Sequence, residues 1–338
     1  MRQKLSTFNS EKYKAIRKSR SENLILRNNV GIISSDAIIG EVISIIGKDI
    51  IVEAKINNKP IEINCVLTGT IISTSKYSNL IAAGDIVYFI YDSSGLSKII
   101  KVVDRLTKFS RILPSNRNRE QVLAANVDTL LIFVSGLEPV LNTRLIDRYL
   151  VSSILSKIIP IICVNKMDLC SNKLIRSLML PYIKLGIEVH FISVLNDIGV
   201  NRLKQRIVGQ KSVISGVSGS GKSSFLNVIL GYNAQVVRDI SKRTNKGIHT
   251  TSFSKRYKIS NSGWIIDTPG LREFGIWDLT KEEIGVIFPD FSAYYLNCKY
   301  TSCTHTHEPD CAVITAVDQG IISAERYNSY LNIYDCLE

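Results

Sequence analysis

Residues 216–223 read GVSGSGKS, a run built to wrap a phosphate. Gly216-Val217-Ser218-Gly219-Ser220-Gly221-Lys222-Ser223 fits GxxxxGK[ST] at every fixed position. Glycines let the backbone close around phosphate oxygens with successive N–H groups pointing inward. The run follows the apolar stretch KSVIS and leads through Ser224 into FLNVIL, so it joins a strand to a helix whose N-terminus adds partial positive charge. In that context Lys222 reaches the β- and γ-phosphates, and the Ser223 hydroxyl is a Mg²⁺ ligand.

A phosphate loop does not name the base. Upstream, Asn165-Lys166-Met167-Asp168 ends the apolar run PIICV. The Asp168 carboxylate accepts from guanine N1–H and the N2 amine, donors that adenine lacks there. Such a site discriminates by roughly 10⁴, because the wrong base leaves a desolvated carboxylate unpaired. Lys166 offers its stem to the base plane and Asn165 supports the loop. Ser193 and Val194, at the end of EVHFIS, are expected to meet the guanine carbonyl through backbone N–H groups.

Two further pieces lie after the phosphate loop. Asp267-Thr268-Pro269-Gly270 ends WIID, with Asp267 expected to hold Mg²⁺ through water and the Gly270 N–H to face the γ-phosphate. Gly247-Ile-His-Thr-Thr251 brings a threonine for the Mg²⁺ shell, Thr251 being favoured over Thr250. Segment 238–250 is polar and basic, as suits a switch loop. Leu271 stands where many GTPases carry the glutamine that orients the attacking water, so turnover in isolation is expected to be slow. His249 is the candidate water-orienting group, since a neutral imidazole both donates and accepts; a purely loop-stabilising role is the alternative.

Of seven cysteines, three cluster. Cys298-x₄-Cys303-x-His305-x₅-Cys311 supplies three thiolates and an imidazole, a closed tetrahedral set for structural Zn²⁺. His307 is a spare imidazole that spacing alone does not exclude.

Three kinds of element must position these groups. Residues 37–110 carry short β-rich runs broken by turn formers, the pattern of a small barrel of oligonucleotide-binding (OB) type or another small β domain. Over 111–277 apolar strands alternate with helical segments, the mark of a three-layer α/β domain around a mainly parallel sheet, and every motif falls at a strand end. Residues 278–338 read as a small, mainly helical metal-binding domain, opened by the capping box Thr280-x-x-Glu283. Tyr327, Tyr330, Leu331 and Tyr334 form one helical face, read as packing.

Before the barrel, residues 1–36 form a basic arm, with eight Lys or Arg against two Glu in the first thirty. The whole chain has a formal net charge of +12, which attracts polyanions. No signal-peptide core and no membrane-length apolar stretch occurs, so a cytoplasmic protein is expected.

The guanine reader precedes the phosphate loop, the reverse of the familiar order. Cutting an α/β domain in a surface loop and joining its termini preserves every native contact, and the strand ends still converge on one nucleotide. The motifs NKMD, GVSGSGKSS, GIHTT and DTPGLREFG, a preceding barrel and a following cysteine cluster resemble the circularly permuted small ribosomal subunit biogenesis GTPases (RsgA/YjeQ) over about 37–335. The resemblance implies an OB barrel, a permuted GTPase domain and a zinc domain with His305 as the fourth ligand. It implies a monomeric GTPase stimulated by the small (30S) ribosomal subunit, acting on its 16S rRNA late in maturation, with hydrolysis coupled to release. Ile248 departs from the polar or basic residue many relatives carry, and the resemblance does not explain the arm at 1–36. Two other classes compete: a metabolic phosphoryl-transfer enzyme, disfavoured by the guanine reader, and an RNA-binding adaptor in which nucleotide only stabilises the fold.

Overall fold

Short runs of alternating apolar and polar residues open the described part of the chain. The structure, a computed structural model, describes residues 36–46, 49–68, 79–113, 116–231, 254–260, 263–268 and 274–337. The arm at 1–35, the segment holding His249, Thr250 and Thr251, and the stretch with Gly270 and Leu271 lie outside those residues.

Strands β1 (Ala37–Ile46), β2 (Asp49–Ile56), β3 (Lys59–Leu67), β4 (Ile86–Ile90) and β5 (Ser97–Val102) pair in the order 1-2-3-5-4, and β1 pairs with β4 to close the ring. Only the β3–β5 pair is parallel. This is a five-stranded barrel of the expected OB type. Period-two alternation sends Val42, Val52, Val87, Phe89 and Ile99 inside, where all are fully buried.

An unexpected hairpin follows: β6 (Lys108–Leu113) pairs antiparallel with β7 (Asn116–Ala125). Its polar sequence hides one anchor, Phe109, buried between Phe274 and Tyr149 at ring-centroid distances of 5.4 and 6.1 Å.

The next elements alternate: β8 (Thr129–Ser135), α1 (Thr143–Ser156), β9 (Ile159–Asn165), α2 (Asn172–Lys184), β10 (Glu188–Phe191), α3 (Val200–Ile207), β11 (Lys211–Gly216), α4 (Lys222–Leu230), β12 (Lys255–Lys258) and β13 (Trp264–Asp267). They form a sheet in the order β10-β9-β8-β11-β13-β12, parallel except for β12. Strand β8 shows why both faces must be covered. Leu130, Ile132 and Val134 join the core that includes Tyr149 and Tyr182, while Leu131 and Phe133 pack on the other face with Leu203 and Phe225.

Helices α5 (Lys281–Ile287), α6 (Ala312–Asp318) and α7 (Ala324–Asp335) complete the fold and share the first of those cores. The Thr280 N–H donates to Glu283 at 3.1 Å, as the capping pattern predicts. Tyr330 is fully buried against Phe288 and Phe291, so the tyrosine face does pack. Arg326 on α7 is buried and pairs with Asp290 and with Asp147 on α1, whose carboxylate also accepts from the Tyr182 hydroxyl at 2.7 Å. Burial pushes the Asp290 carboxyl up to about 7.

The barrel and the α/β sheet share hydrogen-bonded strands: β12 pairs antiparallel with β1 at one register point, Lys255 opposite Ser44. Beside it the nearly buried Arg256 pairs with Glu41 at 2.8 Å and with Glu53. Barrel and α/β strands, eleven of the thirteen described, thus form one sheet, and β6 and β7 pair apart from it.

Candidate nucleotide site and metal centre

The phosphate loop connects β11 to α4. Gly216 has φ +147° and its place would put a Cβ 2.0 Å from the Phe133 carbonyl oxygen; Gly221 has φ +92° and would put one 2.1 Å from Asn165 Nδ2. No other residue fits either position. Lys222 folds back so that its buried Nζ donates to the carbonyls of Gly216 at 2.9 Å and Val217 at 2.7 Å. Its charge therefore sits inside the curve of the loop. Ser220 is buried and donates to Val217 O, whereas Ser223 is half-buried and Ser224 exposed. Behind the loop, the Tyr149 hydroxyl lies 3.1 Å from Ser215 Oγ, and burial pushes that phenol up to about 12.

Asn165 ties the separate motifs together. Its buried amide donates from Nδ2 to Ser220 O at 2.9 Å, inside the phosphate loop. Its Oδ1 accepts from the Val194 N–H at 3.1 Å, and its backbone carbonyl accepts from Gly136 at 2.9 Å. One residue thus fixes three loops that are far apart in sequence, two through its side chain and one through its backbone. The Ser193 hydroxyl donates to the exposed Asp168 carboxylate and accepts from the Asn196 N–H at 3.2 Å. Lys166, in the left-handed region at φ 62°, sends its Nζ to Glu138 O, which lays its stem across the mouth between two loops.

One expectation changes here. The Ser193 N–H donates to Ile198 O at 3.0 Å and the Val194 N–H to Asn165, so both build the loop instead of facing a ligand. The next donor along, Leu195 N–H, meets no acceptor among the described residues. The loop 136–140, with Glu138 holding Lys166, was not anticipated; its only sequence signal is a Pro after the apolar strand TLLIFVS.

Asp267 ends β13 beside the phosphate loop, in register with Ile214 of β11 and Lys255 of β12, and is nearly buried. Thr268 anchors the next residue, its hydroxyl donating to Ile214 O at 2.8 Å. A half-buried hydroxyl at a helix start and a nearly buried carboxylate at an adjacent strand end are oxygen donors suited to a hard divalent cation.

The second cluster lies between α5 and α6. Cys298, Cys303, His305 and Cys311 bring one donor atom each to within 4.8 Å of one another. His305 Nδ1 stands 3.5 Å from Cys298 Sγ and 3.4 Å from Cys311 Sγ. Its buried ring meets Phe291 edge-on at 5.4 Å, and its carbonyl accepts from Tyr327 at 2.7 Å. His307 is exposed and pairs with Thr306 instead. Burial pushes the Cys303 and Cys311 thiols up, with the nearby Cys298 adding to it. A soft cation at the centre of the four donors would remove that penalty, so the residues fit tetrahedral zinc.

The RsgA GTPase family model matches residues 102–277. A small ribosomal subunit biogenesis GTPase RsgA from Chlorobaculum tepidum is 35% identical over 306 residues, covering 88% of this chain and 97% of that one. The chain belongs to the RsgA GTPase family. It is accordingly a hydrolase acting on GTP. A second RsgA protein, from Phocaeicola vulgatus, is 35% identical over 277 residues, 81% of this chain and 89% of its own. The crystal structure of YjeQ from Thermotoga maritima superposes with a TM-score of 0.69 at 28% identity, over 89% of this chain and 98% of that one. YloQ, a circularly permuted GTPase, shares the fold with a TM-score of 0.65 over 91% of this chain and 96% of its own. RsgA membership and this sheet order agree with a permuted GTPase, as expected from the order of the motifs.

Proposed function

We propose that this RsgA-family GTPase binds GTP across the loops that Asn165 joins, and works in biogenesis of the small ribosomal subunit, the task in its relatives' names. The observation that carries the nucleotide reading is the bridge from Asn165 to Ser220 and Val194, which links the guanine reader to the phosphate cradle. Asp168 reads guanine N1–H and N2, with Met167 and Lys166 framing the base. The backbone from Gly216 to Ser224 cradles the phosphates, and Lys222 turns from its loop carbonyls toward the β- and γ-oxygens. Ser223, Asp267 and Thr251 hold Mg²⁺, which when bound neutralises charge on the β- and γ-phosphates. Gly270 faces the γ-phosphate. His249 orients water; on saturating small subunits His249→Ala lowers turnover at least tenfold with GTP affinity unchanged, and undiminished turnover removes it from the mechanism.

Cys298, Cys303, His305 and Cys311 hold one structural zinc in a domain at 278–338, after a barrel at 37–110 and a GTPase domain at 111–277. The chain acts as a cytoplasmic monomer on the 30S subunit and its 16S rRNA, and the subunit accelerates hydrolysis, which times release. Among the described residues no helix is long and apolar enough to cross a membrane. Sedimentation with separated subunits tests the proposal. Co-migration with small subunits is expected with a non-hydrolysable GTP analogue and is lost with GDP, and GTP turnover rises when subunits are added. Turnover that ignores subunits would overturn the coupling of hydrolysis to the particle, and no turnover with or without them would leave an RNA-binding adaptor.

A further inference from the structure

The outer surface of the barrel has two sides of opposite character. Across β1, β2 and β3, Glu41 pairs with Glu53 and Glu53 with Glu62, so three carboxylates stand in one outward row. Like charges on adjacent strands repel, and Arg256 from β12 neutralises two of them. The β2–β3 face, by which OB barrels commonly hold oligonucleotides, is therefore partly occupied here by contacts to the α/β domain. It has no aromatic platform: its outward positions are Asp49, Ile51, Glu53 and Lys55 on β2 and Pro60, Glu62, Asn64 and Val66 on β3.

The opposite side is different. Register places Ile39 on β1 opposite Tyr88 on β4, and Tyr88 opposite Lys101 on β5. The neighbouring row is Ala37, Ile90 and Lys98. Ile39 is 55% exposed and Ile90 40%, Tyr88 and Lys101 are half-exposed, and Lys98 is exposed. Neither lysine reaches a carboxylate at ion-pair distance among the described residues. Asp92 accepts from the Ser94 N–H and hydroxyl and also feels the charge of Lys98. Ring, flanking aliphatics and two cations in register make a stacking platform beside a phosphate track.

We infer that this chain grips single-stranded RNA through the outer β1–β4–β5 face of its barrel, a base stacking on Tyr88 while Lys98 and Lys101 meet phosphates. The inference rests on the proposed action on ribosomal RNA and names the surface that performs it. RNA is favoured because the face sets two lysines outside ion-pair distance of any described carboxylate beside an aromatic ring, whereas an apolar protein partner would bury both ammonium groups.

The test measures fluorescence anisotropy of a labelled, mixed-sequence single-stranded RNA on the full chain over a range of salt. Tyr88→Ala is expected to weaken binding about tenfold, and Tyr88→Phe, which keeps the ring face, to bind like wild type. Lys98→Gln with Lys101→Gln is expected to lower the salt slope by about two, and Glu62→Gln on the other face to cost nothing. Basal GTP turnover and melting temperature stay at wild-type values in each variant. Unchanged RNA affinity and slope in a chain that still sediments with small subunits overturns the inference and leaves the proposed function standing. A wild-type chain that binds neither RNA nor subunits overturns both. Loss of subunit binding with unchanged naked-RNA binding gives the face to a protein and also overturns the inference. Where a variant fails to fold, ultraviolet crosslinking of the wild-type chain decides: adducts in 37–41, 86–91 or 97–102 support the surface, and adducts confined to 50–66 overturn it.

Discussion

At the nucleotide loops Asn165 spends one end of its amide on a phosphate-loop carbonyl and the other on the N–H of Val194, while Lys222 donates to carbonyls of the same loop. Donor meets acceptor, so those loops hold one another through the protein's own groups. Between α5 and α6 the arrangement is the reverse: three sulfurs and a ring nitrogen crowd within 4.8 Å, all of them donors suited to one shared cation. The two regions teach that a site can be built by complementary protein groups or by groups that agree only around a cation. Ligand removal should therefore treat them differently.

The largest effect is expected from metal. Chelation, or Cys303→Ser, should melt the region of α5 to α7, a loss on the order of 10 kcal/mol of apparent folding free energy. Amide exchange by residue checks it, with one zinc per chain released; persistent protection in α7 after chelation would break the contrast. Next comes base reading. Asp168→Asn leaves the fold intact but costs about 3 kcal/mol of GTP over ATP preference, roughly a hundredfold, by removing the charged acceptor. Competition calorimetry measures it.

A smaller loss sharpens the comparison at its hub. Asn165→Ala strands the Val194 N–H and a buried carbonyl, costing about 2 kcal/mol of stability, and saturating GTP should restore part of that. Denaturant midpoints with and without nucleotide give the value. The smallest effect is in pH. Burial raises the Asp290 carboxyl to about 7, so the folded chain keeps a proton that the unfolded chain has already released. That contribution is complete below the usual carboxylate range and is lost as pH rises toward about 7. Arg326 beside it offsets part of the burial cost, so a slope of about 1 kcal/mol across this window is expected, and Asp290→Asn should flatten it in urea titrations.

Much of this was legible in the sequence because the signal was local. Strand alternation revealed the barrel, the fixed glycines of 216–221 announced strained backbone, and the cysteine spacing announced a four-donor cluster. What stayed hidden depends on contacts between distant residues. The β6–β7 hairpin looks like a polar linker until Phe109 is seen against Phe274 and Tyr149. The Val194 N–H is taken by Asn165, which no periodicity foretells. Arg326, on a helix read as aromatic packing, is the buried cation that Asp147 and Asp290 share.

The Ser44–Lys255 bridge has a consequence for cutting the molecule apart. A strand at an open sheet edge offers its unpaired amides to any passing chain. Strand β12 has β13 on one side and meets the barrel on the other at one point, so trimming away the barrel removes that bridge and strips Arg256 of Glu41 and Glu53. A fragment begun near β8 would therefore lose the Ser44–Lys255 bridge and both ion pairs of Arg256, leaving a charged side chain and a strand end without the partners that hold them in the full chain.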